Sequence, residues 1–378
     1  MDRRNFLKGS SAIALAGSAT VAAAQAAKAA DGKDAAAALS APGILPQRRT
    51  LRMVSLWPDS VSGPADHIHR LIRRIEAATD RHWMIDISDM PANGAEAFNA
   101  VMTGKADLYA GHEHAHRTLH PAFSYLAGLP CRTGMDIGHL DAWLTAAGGQ
   151  DLWDELAGEF NMKGLLIGHS GMAHGLFTRT PVRTRADLIG KRIATTGLAA
   201  EVLQAVDARP LDGTASTLAE LIGDISIDGI ELHGPSFDMP YGPSSARLNS
   251  AFTQQFLPGL DDAGYAITLG LRRSLWDGLA TSERIMLSAL ASEALAASRA
   301  DALAQARAFD QLNDTANRTG ADKHPPHWIA LADELSRIAA SIVADLSGHD
   351  THAARINASY MAFNGHPHVP APHLSANV

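Results

Sequence analysis

Residues 111–120 read GHEHAHRTLH, four histidines and a glutamate in ten positions. His112, His114 and His116 alternate strictly, so on an extended strand all three would point to one face. Three chemistries suit that pattern. Histidines can donate hydrogen bonds to an anionic ligand, one from neutral imidazole and two from imidazolium. They can bind a transition metal together with a carboxylate such as Glu113, Glu231 or Asp262, a donor set that suits Zn²⁺. Or they are solvated or core histidines, as some of the 18 in the chain must be. Three alternate histidines on a strand spread over about 13 Å, so only a neighbouring pair could share one ion. Hydrogen bonding to an anion is therefore the preferred reading.

Enzyme signatures are sparse. A His-x-His at a strand end resembles metal-dependent amidohydrolases, but those need an eight-stranded barrel. The chain has no G-x-S-x-G elbow and no Walker-type phosphate loop. Its one cysteine, Cys131, excludes an internal disulfide.

The elements that would position these residues begin after a leader. MDRRNFLKGSSAIALAGSATVAAAQAAKAA carries Arg3-Arg4, a mildly apolar Ala/Gly run and A-x-A options at residues 24–26 and 27–29. It resembles a twin-arginine (Tat) signal peptide spanning 1–30, and predicts export to the periplasm. Residues 31–49 are Ala-rich with Pro42 and Pro46 and read as a linker. The formal charge is −8; loss of a leader of net +3 leaves about −11, which argues against nucleic acid and anionic membrane as partners.

From Leu51 the pattern runs strand to Trp57, helix 64–79 with Ile68, Leu71, Ile72 and Ile75 at helical spacing, strand at Trp83–Ile87, short helix 95–103 and strand 107–110. This βαβαβ order predicts an open parallel sheet, with the histidines just beyond its third strand, where α/β sheets hold ligands. A second set of strands follows at 165–168, 175–178, 191–194, 225–232 and 265–271, with helices at 197–206 and 218–222. A long helix at 281–313 and helices at 325–347 and 351–361 complete the chain. Two α/β halves behind an export signal point to a two-lobed solute receptor.

Five segments then resemble one family, the solute-binding proteins of TRAP (tripartite ATP-independent periplasmic) transporters, DctP-like. They are MVSLWPDSVSGPADHIHRLIRRIEAATD, AFNAVMTGKADLYAG, RADLIGKRIATTGLAAEVLQAVDARPL, IDGIELHGPSFDMPYG and FLPGLDDAGYAITLGLRRSLWDGL, in the family's order over most of residues 50–290. The likeness is greatest to the subgroup binding 2-oxo acids and other small monocarboxylates. It implies an α/β two-lobed fold of type II-like topology with a long connecting helix and a helical C-terminus. Lobe 1 would comprise 50–169 plus about 258–296, lobe 2 would comprise 170–257 plus about 297–362, and 363–378 would be a loose tail. It implies capture of a small organic acid, handover to a membrane permease, no catalysis, and a monomer or homodimer. It also implies a Na⁺ or Ca²⁺ bridging Glu231 and Asp262 to the ligand, since paired carboxylates repel without a cation and oxygen donors favour hard ions.

One position departs from the family. Where its D-L-x-G-x-x-I-R segment ends in a carboxylate-gripping Arg, this chain has Ala194; Arg192 lies two residues earlier, on the same strand face but about 6–7 Å back. Leu232 and His233 stand where an aromatic often follows the Glu. The expected ligand-binding set is therefore Trp57, His112, His114, His174, Arg192, Glu231, Leu232, His233 and Asp262. A zinc receptor built on the histidine cluster and a metal-dependent hydrolase are the alternatives.

Overall fold

The computed structural model describes residues 48–57, 59, 63–88, 94–213, 218–232, 234, 251–261, 263–316 and 324–365. Leader, linker, His233, Asp262 and the residues after Gly365 lie outside this set. Among the described residues no helix is long and apolar enough to cross a membrane.

The first half builds a sheet from β1 (Arg49–Ser55), α1 (Pro64–Ala78), β2 (Trp83–Ser88), α2 (Gly94–Met102) and β3 (Leu108–Gly111). Apolar residues at helical spacing, Ile68, Leu71, Ile72 and Ile75, put one face of α1 in the core. The segment 120–160 contains α3 (Phe123–Ala127), α4 (Ile137–Ala146) and α5 (Gly149–Glu159), and leads to β4 (Met162–His169). The chain then crosses to a second sheet. Its parts are β5 (Gly175–Thr178), β6 (Arg192–Thr195), α6 (Gly197–Gln204), β7 (Arg209–Asp212), α7 (Leu218–Gly223), β8 (Gly229–Leu232) and β9 (Gln254–Phe256). It returns as β10 (Ala266–Arg272), followed by α8 (Arg273–Asp277), α9 (Thr281–Ala316), α10 (Pro326–Ser347) and α11 (Thr351–Gly365).

The two sheets have the orders β2-β1-β3-β10-β4 and β7-β6-β8-β5-β9. Each is mixed, which corrects the expectation of a parallel sheet. β1 runs parallel to β2 and β3, but β10 runs antiparallel to β3 and β4. In the second sheet β6 is parallel to β7 and β8, while β5 is antiparallel to β8 and β9. The reason is connectivity. β10 enters its sheet from the other one, not from a crossover helix on the same sheet, so nothing forces it to run parallel.

Each sheet has apolar cover on both faces. α9 lays Leu287, Ala291 and Ala294 on the core of the first sheet, and is tied to α1 by Arg70–Asp301 at 2.7 Å and Arg74–Glu293 at 3.2 Å. α10 covers the second sheet with Trp328, Leu331, Leu335 and Ala339. Its last turns reach the other core through Val343. α11, expected with lobe 2, packs instead with lobe 1: Ala353, Ile356 and Tyr360 join Leu126, Trp143 and Trp153. Tyr360 Oη accepts the Met135 amide at 2.8 Å. α11 extends to Gly365, so residues 363–365, expected in a loose tail, are helical.

Ile356→Ala tests that docking. Removing a fully buried Ile side chain should cost about 2–5 kcal/mol, read as a lower urea midpoint with unchanged slope. An unshifted midpoint would remove α11 from the core of lobe 1.

Candidate functional site

β3 ends at Gly111, and the next residues do not stay extended. Glu113–His116 is one 3₁₀ turn, with the Ala115 amide donating to His112 O at 3.2 Å and the Arg117 amide to His114 O at 3.3 Å. A 3₁₀ turn advances about 120° per residue, so His114 and His116 point apart. The expectation that His112, His114 and His116 share a face is thereby corrected.

His112 lies among rings: Trp57 at 6.1 Å, His114 at 6.0 Å and Tyr265 at 5.5 Å between centroids. Trp57 follows β1 and Tyr265 precedes β10, so three chain segments of the first sheet meet here. His114 reaches the second sheet. A Cβ placed on Gly197, the first residue of α6, would lie 2.9 Å from His114 Nε2 and 3.0 Å from Cδ2. Gly197 also has φ +61°, where a side chain is strained. The His114 ring therefore rests on the backbone at the N-terminus of α6. Arg117, from the same turn, pairs with Glu201 of α6. This junction stands at the carboxyl ends of β1, β3 and β6, where open α/β sheets hold ligands.

His116 turns the other way, fully buried between Phe98 (4.2 Å), Tyr109 (5.0 Å) and Phe123 (5.9 Å). Burial, with the nearby His112, drives its pKa well below the ordinary imidazole range. It is a neutral core residue. Glu113 also points inward and accepts from Tyr109 Oη at 2.6 Å. Burial pushes its carboxyl up to about 7, against the hydrogen bonds from Tyr109 and Thr268 that favour the charged form.

On the second sheet, Glu231 of β8 is fully buried. Its Oε1 accepts the amides of Leu260 at 2.8 Å and Asp261 at 3.2 Å. The approach is close because residue 259 is Gly; any Cβ there would overlap Glu231 Oε1. Asp261 is buried as well, and burial pushes its carboxyl up to about 7. Sequence reasoning singled out Asp262, outside the described residues, and passed over Asp261; the second acid of an Asp-Asp pair carries no signal for which one is buried. Glu231 on β8 and Asp261 on the loop before β10 are buried carboxylates whose oxygens are donors of the kind a hard cation takes, and they are the described residues that would hold one.

His174, just before β5, is buried, and its carbonyl accepts from Gln255 Nε2 at 2.9 Å. His169, at the end of β4, is buried and its pKa is lowered to about 3, chiefly by burial. Its Nδ1 accepts the Gly171 amide at 3.0 Å, so it pins the crossover to β5. Two expected contacts are not brought to the junction. Arg192 opens β6, at the end remote from Gly197, and donates to Ser226 Oγ. Leu232 packs in an apolar cluster with Phe177, Ile230 and Phe252. Ala194 lies in the same cluster. His233 lies outside the described residues.

No protein-family model matches the chain. A monocarboxylate 2-oxoacid-binding periplasmic protein of Nostoc sp. is 23% identical over 321 residues, covering 82% of this chain and 83% of the relative. A TRAP periplasmic solute-binding protein of Pseudoalteromonas atlantica, solved with bound sodium and pyruvate, superposes with a TM-score of 0.74 over 85% of this chain and 95% of that one, at 17% identity. The chain has the fold of a TRAP periplasmic solute-binding protein. A second such protein, from Bordetella bronchiseptica with calcium and picolinate, gives a TM-score of 0.74 at 19% identity, covering 85% and 93%. Among the described residues, neither five-stranded sheet is the eight-stranded barrel that the amidohydrolase pattern calls for.

Glu113 carries a pH prediction. Its folded pKa is raised from 4.5 to about 7, so the folded state holds the proton more tightly. The stability it contributes is complete below about pH 4.5 and lost as pH rises through about 7. Glu113→Gln removes this dependence. Between pH 5 and pH 8 the variant should gain on the native protein by about 1–3 kcal/mol in urea unfolding. Parallel pH profiles would show that Glu113 ionises normally in the folded state.

Proposed function

We propose that this protein is a periplasmic receptor for a small monocarboxylate, of the 2-oxo acid kind, that delivers it to a TRAP membrane permease and does no chemistry on it. The observation that carries the proposal is the junction of the two sheets. His114 of one rests on the first residue of α6 in the other, beside the rings of Trp57, His112 and Tyr265. That is where a two-lobed receptor closes on its solute. The fold and the Nostoc relative supply the ligand class.

The anion is held by histidine N–H groups, His114 and His174 foremost, with His112 beside them. Arg192 has no part, being engaged with Ser226 at the far end of its strand. Glu231, with Asp262 or its buried neighbour Asp261, holds a Na⁺ or Ca²⁺. Buried carboxylates would otherwise repel an acid, and a cation reverses the sign of the site.

Titration calorimetry with pyruvate and related 2-oxo acids, with and without Ca²⁺ or Na⁺, tests this. Loss of one charge-assisted hydrogen bond costs about 1.5–3 kcal/mol, so His114→Ala and His174→Ala should each weaken binding about ten- to a hundred-fold. Glu231→Gln keeps an oxygen for the Leu260 and Asp261 amides, so it should fold, yet lose the dependence on the cation. Unchanged affinity in all three variants would place the solute elsewhere. Consumption of the acid by pure protein would make the protein an enzyme.

Export through the Tat route is a separate part of the proposal, resting on Arg3-Arg4 and the leader that follows. Replacing both arginines with Lys should leave the uncleaved precursor in the cytoplasm, detected by fractionation and blotting. Normal periplasmic yield of that variant would rule the route out.

A further inference from the structure

Four residues beyond the 3₁₀ turn, His120 is buried at the entry to α3. Its Nε2 lies 2.6 Å from Asp350 Oδ2, and the His349 ring stands edge-on to its own at 5.1 Å. His120, His349 and Asp350 each offer one ligand atom, and these atoms all lie within 4.8 Å of one another. Among the described residues no other group of three His, Cys, Asp or Glu does so; in particular His112, His114 and Glu231 form no such group.

We propose that His120, His349 and Asp350 bind one divalent transition metal of the Zn²⁺ class, at a site apart from the solute junction. Two imidazoles with one carboxylate suit Zn²⁺, and are unlike the all-oxygen sets that Na⁺ and Ca²⁺ take. Three protein ligands leave one position for water. Bonds of about 2.0–2.1 Å set ligand atoms about 3.3 Å apart in a tetrahedral site. His120 Nε2 and Asp350 Oδ2 stand closer than that, at 2.6 Å, and would move apart to admit the ion, while all three ligand atoms already lie within 4.8 Å of one another.

The backbone already holds the three residues in place. The His120 amide donates to His116 O at 3.2 Å. Asp350 caps α11, its Oδ1 accepting the Ala353 amide at 2.8 Å, which leaves Oδ2 facing His120. The His349 amide donates to Leu346 O at 3.3 Å. His120 Nδ1 accepts the Ala122 amide at 3.2 Å, so its proton is on Nε2, shared with Asp350. Metal binding at Nε2 moves that proton to Nδ1 and gives up the long Ala122 contact. A hollow of about 510 Å³ beside His349 is lined by Asp345 and by Glu201, the latter paired with Arg117. Bound there, the ion would fasten the turn between α10 and α11 to the loop behind the histidine turn.

The test is Zn²⁺ titration of the full mature chain, stripped with EDTA and without added organic acid, against a competing chromophoric indicator. One ion should bind per chain. His349→Ala changes an exposed side chain and should fold normally, yet weaken Zn²⁺ by about tenfold or more. His120→Gln should do the same. His114→Ala, and replacement of His366, His368 and His373 together by Ala, should leave the affinity within about twofold of native. Native affinity in His349→Ala would overturn the site and leave His120–Asp350 as a hydrogen-bonded helix cap. Loss of binding in the His114 variant or the tail variant would likewise overturn it, by moving the metal to those histidines.

Discussion

Close packing of backbone against backbone at the crossings between the sheets governs the rest of this structure. The chain leaves the first sheet at His169 and returns to it at Ala266, and the two crossings lie against each other. Ser170 Oγ accepts the Tyr265 amide at 3.0 Å, and the Ser170 amide donates to Tyr265 O at 3.0 Å. Gly264, at φ +73°, faces the Gly171 carbonyl so closely that any side chain would overlap it. Ser298 of α9 bonds both the amide and the carbonyl of His169. With the crossings fixed, β10 must run antiparallel, Tyr265 must stand beside His112, and the Leu260 and Asp261 amides must meet Glu231.

Electrostatics then follow from burial. Glu231 is accommodated in the interior with the Leu260 and Asp261 amides donating to its Oε1. Burial lifts the carboxyls of Asp261 and Glu113 towards neutrality near pH 7. Imidazoles in the same region are pushed the other way, as His116 and His169 show. A site so made carries little fixed positive charge. Under the function proposed above, a receptor for an acid built this way would depend on oriented N–H dipoles and on a cation, where an arginine would have supplied charge and geometry at once.

Much of the fold is legible in the sequence because its signals are local. The helical spacing in α1, the Gly104 stop after α2 and the long Ala/Leu run of α9 each determine an element from within. The mixed strand direction is not legible, because it depends on which sheet β10 rejoins, and that is settled by contacts more than a hundred residues apart. The helices at 137–146 and 149–159 bury one short stripe each, Leu140, Trp143 and Leu144 in α4 and Trp153, Leu156 and Ala157 in α5, too few positions to stand out in the sequence. Trp57, His112 and His114, singled out from type and order, do come together at the junction. Leu232 and Ala194 cannot be told from ligand contacts by sequence, since a strand residue faces core or cleft according to register alone.

The histidine run shows the same limit at its sharpest. Strict alternation is evidence for a shared face only while the backbone stays extended, with a period of two. Beyond Gly111 the period becomes about three, so residues i and i+2 differ by about 240° and lie on different sides. One short segment therefore supplies four unlike environments. His112 stands among rings, His114 lies against the α6 backbone, His116 fills an aromatic core, and His120 meets Asp350 behind the turn. A cluster that looks in one dimension like a single metal site is divided by that turn. Among the described residues, the one of its four histidines that joins a group of three potential ligands is His120, with His349 and Asp350.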